Sequence, residues 1–157
     1  MNDKIDSTIE HKILNINGNS IHYFVSGNEN GETVLFLHPA FGDHRCFDRQ
    51  VDFFSQNYCV ITIDMLGHGL TGAGKSFTVM SGLNEIIKDR ADIQWKYPLL
   101  ILVGDKDSEL AIKSAQQWYG DSPDSQFYIV ENAGHCANMD NAVKFNDLLM
   151  NFITAKQ

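Results

Sequence analysis

The chain has 157 residues, 43% of them hydrophobic and 20% charged, which is the size and composition of one globular domain able to bury a core. Its 12 basic and 20 acidic side chains leave a formal charge of −8 at pH 7; such a surface repels nucleic acid and anionic lipid, so neither is an expected partner. Cys46, Cys59 and Cys136 are odd in number and widely spaced, which suggests neither a disulfide framework nor a cysteine-based zinc site and fits a reducing, cytoplasmic location. The opening "MNDKIDSTIEHK" is polar and acidic, unlike an export signal, and no apolar run reaches the ~18 residues of a membrane helix.

In chain order, "HKILNINGNSIHYFVSG" holds two β-rich runs around Asn17-Gly18-Asn19, the composition of a hairpin turn. "TVLFLHP" is a short continuous apolar run of the kind that forms a strand buried on both faces. Phe47, Val51 and Phe54 follow at helical spacing, and "YCVITID" repeats the buried-strand pattern. Beyond Asp64, Met80, Leu83 and Ile87 mark one face of a helix over about 78–91, weakened by Gly82. "PLLILVGDKD" is a third buried strand; Ala111, Ala115 and Trp118 mark a helix; "QFYIVE" is a fourth strand. Phe145, Leu148, Leu149 and Phe152 give a closing amphipathic helix. Strands alternating with helices predict an α/β domain over residues 1–157, with a mostly parallel sheet, an N-terminal β-hairpin and flanking helices.

In such sheets chemistry gathers in the loops that leave the C-terminal ends of the strands. Those loops read "HPAFGDH", "DMLGHG", "GDKD" and "NAGHCANMD". In that order and spacing they resemble the α/β-hydrolase superfamily over nearly the whole chain, which implies a three-layer sandwich in shortened form. Gly104-x-x-Asp107 matches the family's catalytic acid at a strand end, and Gly134-His135, with the histidine 28 residues after Asp107, matches the base that follows it. By the resemblance the acid holds the imidazole's tautomer and the imidazole moves protons. His38-Pro39-Ala40 stands where the family has His-Gly-x, so Ala40 is implied as a backbone N–H donor to the oxyanion. The implied chemistry is hydrolysis of an ester, thioester or related bond of a small molecule, with no cofactor and no metal.

Each residue has a plainer reading when taken singly. Asp107 can cap the helix that follows it, His135 can be a loop residue, and His38 and His68 can stabilise their loops. The nucleophile of the family sits in G-x-S-x-G on a strained strand-to-helix turn. That pentapeptide is absent from the sequence, and no apolar strand run occurs between Asp64 and Pro98. Set against the family pattern, on the order of a hundred residues carrying the elbow, the next strand and the lid are missing near Ser76-Phe77. Ser76 in "GKSFT" is the one candidate replacement nucleophile, with a helix cap as its alternative.

"GLTGAGKS", Gly69 to Ser76, also fits the phosphate-loop pattern G-x-x-x-x-G-K-[ST]. Its position argues against that, because Asp64 to His68 intervene between the strand end and Gly69. Three function classes therefore stand: a residual hydrolase, a non-catalytic binding or interaction remnant, and a nucleotide-binding protein. Loss of central strands also predicts either that the "VLFL" and "LLILV" strands become neighbours or that an open sheet edge pairs two copies as a homodimer.

Overall fold

The computed structural model describes residues 9–16, 18–72, 98–122 and 124–155. Ser76, Lys75 and the expected helix over 78–91 lie outside them. The chain divides into two compact units, Met1–Asp92 and Ile93–Gln157.

The first unit is built on a four-stranded sheet in the order β1-β2-β4-β3, from β1 (Glu10–Ile16), β2 (Asn19–Gly27), β3 (Thr33–Leu37) and β4 (Cys59–Ile63). The β1–β2 hairpin is antiparallel, with Gly18 at φ 76° in its turn, the left-handed backbone that glycine adopts without steric cost. β2 pairs antiparallel with β4, and β3 pairs parallel with β4. A 3-10 turn, His44–Phe47, leads into helix α1, Asp48–Phe54. Phe47 thus ends the turn, while Val51 and Phe54 are buried in the helix proper as their spacing predicts. Asp43 caps the turn by accepting the Arg45 N–H at 2.9 Å, and the Arg45 guanidinium lowers its pKa to about 2.

Phe54, with no exposed surface, is the centre of this unit's core. Its ring meets Phe36 at 5.9 Å between centroids, Phe53 at 5.0 Å and Tyr58 at 6.1 Å, and Phe36 stacks on Phe47 at 4.9 Å. These contacts cover one face of β3. On its other face Leu35 and Leu37 remain 53% and 57% exposed, so the burial of both faces expected from "TVLFLHP" is corrected to burial of one. β3 has β4 as its one strand neighbour among the described residues, and α1 lies on the Phe36 side.

In the second unit β5 (Leu99–Gly104) and β6 (Ser125–Val130) pair in parallel, joined by helix α2, Glu109–Gly120, as a strand–helix–strand crossover. Helices α3 (Ala137–Asp140) and α4 (Ala142–Thr154) close the chain. Ser108 caps α2 by accepting the Ala111 N–H, and Asn141 caps α4 by accepting the Lys144 N–H. Val130, Ala133 and Ala137 form the buried centre, with Leu102, Phe145 and Leu148 packed on it. The expected ladder between the "VLFL" and "LLILV" strands is not among the pairings of the described residues. No helix among them is long and apolar enough to cross a membrane.

Truncating the ring at the centre of the first unit tests this packing. Phe54→Ala is expected to cost about 3–5 kcal/mol of stability, read as a lower urea midpoint at unchanged slope. A loss under about 1 kcal/mol would show that Phe54 is not the core residue described.

Candidate active site

The parallel β5–β6 ladder ends with Gly104 opposite Val130, and both strands release their loops there. Beyond that point the two loops continue to bond each other. The Asp105 N–H donates to Val130 O at 3.0 Å, the Lys106 N–H to Ala133 O at 2.9 Å, and the Ala133 N–H to the Asp105 carboxylate at 3.0 Å. A Cβ at residue 104 would lie 2.1 Å from Ala133 O and 2.3 Å from Gly134 O, so only glycine permits this approach. The returning loop is pinned by Asp140, which accepts the Gly134 N–H at 2.8 Å.

This crossing brings Asp107 and His135 together. The His135 Nδ1–H donates to the Asp107 carboxylate at 3.0 and 3.2 Å. The Asp107 side chain is 9% exposed and that of His135 is 82% exposed, so the acid is sheltered and the imidazole faces outward. Nε2 of His135 has no partner among the described residues and is open to a proton donor. Burial works to raise the Asp107 pKa, but the Ser108 N–H at 2.6 Å and the His135 imidazole outweigh it and hold the carboxyl below its ordinary value. The helix cap is Ser108, which leaves both Asp107 oxygens facing the imidazole.

In the first unit, the loop after β3 and the loop after β4 are joined by two buried histidines. His38 donates from Nδ1 to Pro39 O at 2.8 Å and accepts the Met65 N–H at Nε2, 3.1 Å away. His68 donates from Nδ1 to Leu66 O at 3.1 Å and accepts the Phe41 N–H at Nε2, 3.3 Å away. Each ring thus carries its proton on Nδ1 and is neutral, because its other nitrogen faces a backbone donor. Phe41 adopts φ 69°, a left-handed conformation that a bulky residue rarely takes. Next to it, the Ala40 N–H has no acceptor among the described residues, and Ala40 is exposed.

Asp64, fully buried at the end of β4, organises the same loops. Its Oδ1 accepts both the backbone N–H and the Nδ1–H of His44 at 2.8 Å, and its Oδ2 accepts the Leu70 N–H at 2.8 Å. Burial works to raise its pKa, but these donors from Leu70 and His44 win and the pKa is lowered. A Cβ at residue 69 would lie 2.2 Å from the Asp64 carboxylate, and Gly69 has φ 50°, so this glycine is required by the turn itself. The first glycine of the phosphate-loop pattern and the N–H that follows it are therefore engaged by Asp64.

No protein-family model matches the chain, and no curated protein matches it in sequence. Solved structures do match it in shape. Naproxen esterase from Bacillus subtilis superposes with a TM-score of 0.73 at 11% identity, over 94% of this chain and 92% of that one. The enol-lactonase from Burkholderia xenovorans gives 0.72 at 13% identity, over 91% of this chain and 100% of that one. A serine hydrolase involved in carbazole degradation gives 0.72 at 13% identity, over 94% and 100%. The chain has the α/β-hydrolase fold.

Within this hydrolase fold the structure brings Asp107 and His135 into contact, and places Ala40 on the loop after β3. Ser76 is outside the described residues. Asp64, His44, Asp105 and Asp140 hold the loops through contacts not read from the sequence. The signal for Asp64 and Asp105 is a carboxylate just past a strand end, beside backbone donors; for His44, whose partner is 20 residues away, there is none. Among the described residues no group of three or more histidine, cysteine or carboxylate side chains could hold a metal ion.

Removing the Asp64 carboxylate strands three donors. Asp64→Ala is expected to cost about 3 kcal/mol, measured by urea unfolding at pH 7. Because the folded pKa values of Asp64 and Asp43 are depressed, their stabilisation is present above about pH 4 and is lost as pH falls through the folded values, which for Asp43 means down to about 2. The acid limb of the stability profile should therefore be shallower in Asp64→Ala than in the parent chain. Equal midpoints at pH 7 would contradict the role given to Asp64.

Proposed function

We propose that this chain is an ester- or thioester-hydrolase type protein that keeps the acid–base half of the acyl-transfer machinery without its nucleophile elbow. The observation that carries the reading is the sheltered Asp107 bonded to Nδ1 of an outward-facing His135. In that arrangement Asp107 fixes the tautomer with a bare Nε2 and stabilises the imidazolium that forms when Nε2 takes a proton. Ala40, with its N–H uncommitted among the described residues, is the proposed donor to a developing oxyanion. A small-molecule acyl compound is the proposed ligand, in keeping with the esterase and lactonase whose fold the chain shares. The absence of G-x-S-x-G from the sequence leaves the dyad with no serine to activate, so binding rather than turnover is the proposed capacity. An internal loss near Ser76-Phe77 accounts for the motif order: the acid and base motifs are retained and the elbow between the second loop and the acid strand is gone.

Chemistry tests this directly. A serine-directed phosphonate should leave the protein unlabelled, and hydrolysis of short aryl esters should be the same in the parent chain, His135→Ala and Asp107→Ala. Triad enzymes stripped of one member still reach ~10³–10⁴-fold over water through oxyanion and substrate binding, and here any such residue should not depend on the dyad. Labelling at Ser76, with turnover abolished by Ser76→Ala and by His135→Ala, would instead make the chain an active enzyme with a rebuilt elbow.

A further inference from the structure

The histidines of the β1–β2 hairpin form a column that the acyl-transfer reading leaves unused. In the antiparallel ladder His11 lies opposite Phe24 and His22 opposite Ile13, so the two histidines are diagonal neighbours on one face, within reach of each other. His11 Nε2 and His22 Nδ1 are 2.9 Å apart, with ring centroids at 5.0 Å and planes 24° apart. The column is braced behind them. His11 stacks on Phe24 at 4.8 Å, Phe24 stacks on His44 at 3.7 Å, and His44 is tied to buried Asp64. The His22 N–H donates to the Thr71 hydroxyl at 2.8 Å, so the strand beneath the pair is held as well.

We propose that His11 and His22 form a two-histidine chelating site for a divalent copper ion. Two imidazole nitrogens bound to one metal at 2.0–2.1 Å stand about 2.9 Å apart when they subtend a right angle and about 3.4 Å apart at the tetrahedral angle. The hydrogen-bond contact of 2.9 Å brings the two nitrogens within the span of one metal ion at either angle, and copper(II) is the divalent first-row ion that imidazole nitrogens bind most tightly. A turn of the exposed His11 ring converges the two lone pairs on one point. The proton now shared between the facing nitrogens moves to the outer nitrogen of its ring, so both imidazoles bind in neutral form and no net proton is released. Water completes the coordination, since no third ligand stands with the pair among the described residues. The net charge of −8 favours approach of a cation.

The test is titration of the full chain with copper(II), followed by electron paramagnetic resonance at low temperature. One equivalent is expected to bind with an axial signal split by two nitrogens. His11→Ala and His22→Ala should each weaken that site at least tenfold and reduce the splitting to one nitrogen or none, with far-UV circular dichroism unchanged. If His22→Ala perturbs the hairpin, His11→Ala and His11→Asn at the exposed position give the same reading. His135→Ala should leave the tight site intact. No binding to the parent chain, binding unaffected by the hairpin variants, loss in only one of them while both stay folded, or loss on His135→Ala would each overturn the proposal.

Discussion

The approach of two loops at Gly104 is the constraint on which the candidate site depends. Hydrogen bonds that continue past the end of the β5–β6 ladder draw the segments so close that a Cβ at residue 104 would overlap Ala133 O. Asp105 then uses its side chain, not only its backbone, to hold the opposing loop. The crossing brings Asp107 and His135, 28 residues apart in sequence, within reach of each other, and the hydrogen bond at 3.0 Å holds the outward-facing imidazole to the sheltered carboxylate. The pair thus rests on backbone packing and side-chain attraction together.

In the first unit the corresponding role falls to a buried charge. Asp64 has three donors on its two oxygens, and a buried carboxylate is tolerable only when its lone pairs are so met. One consequence reaches the loop after β3, where His44 sits, and another the glycine turn after β4, where Leu70 and Gly69 sit. The buried pair His38 and His68, 4.9 Å apart between ring centroids, bridges the same two loops through backbone groups. Neutral histidines suit this work because each offers one donor and one acceptor, matching a carbonyl on one side and an N–H on the other. The first unit's loops are consequently held together by polar contacts, while its core is aromatic and centred on Phe54.

What could be read from the sequence followed the range of the interactions. The hairpin around Gly18, the parallel strands and helices α2 and α4 are written in local periodicity, and they stand in the structure. Asp107 and His135 were legible because motif order carried them; periodicity could not. The one-sided exposure of β3 escaped because a short continuous apolar run reads the same whether one or two faces are covered. Asp64–His44 and the histidine column escaped because their partners are 11 to 49 residues apart, and single histidines without spacing carry no signal of where the fold will place them. In "GLTGAGKS" Gly69 answers to the Asp64 carboxylate beneath it, a demand that glycine spacing alone does not reveal.

The central claim is that Asp107 holds the His135 imidazole with its proton on Nδ1 and leaves Nε2 bare. Long-range proton–nitrogen correlation of the histidine side chains measures this directly, with His135 assigned by its loss in His135→Ala. At a pH where the ring is neutral, the account predicts that the Nδ1–H tautomer dominates in the parent chain and that Asp107→Ala shifts the population toward Nε2–H, the form favoured by a free imidazole. A dominant Nε2–H tautomer in the parent chain, or spectra unchanged by Asp107→Ala, would contradict it.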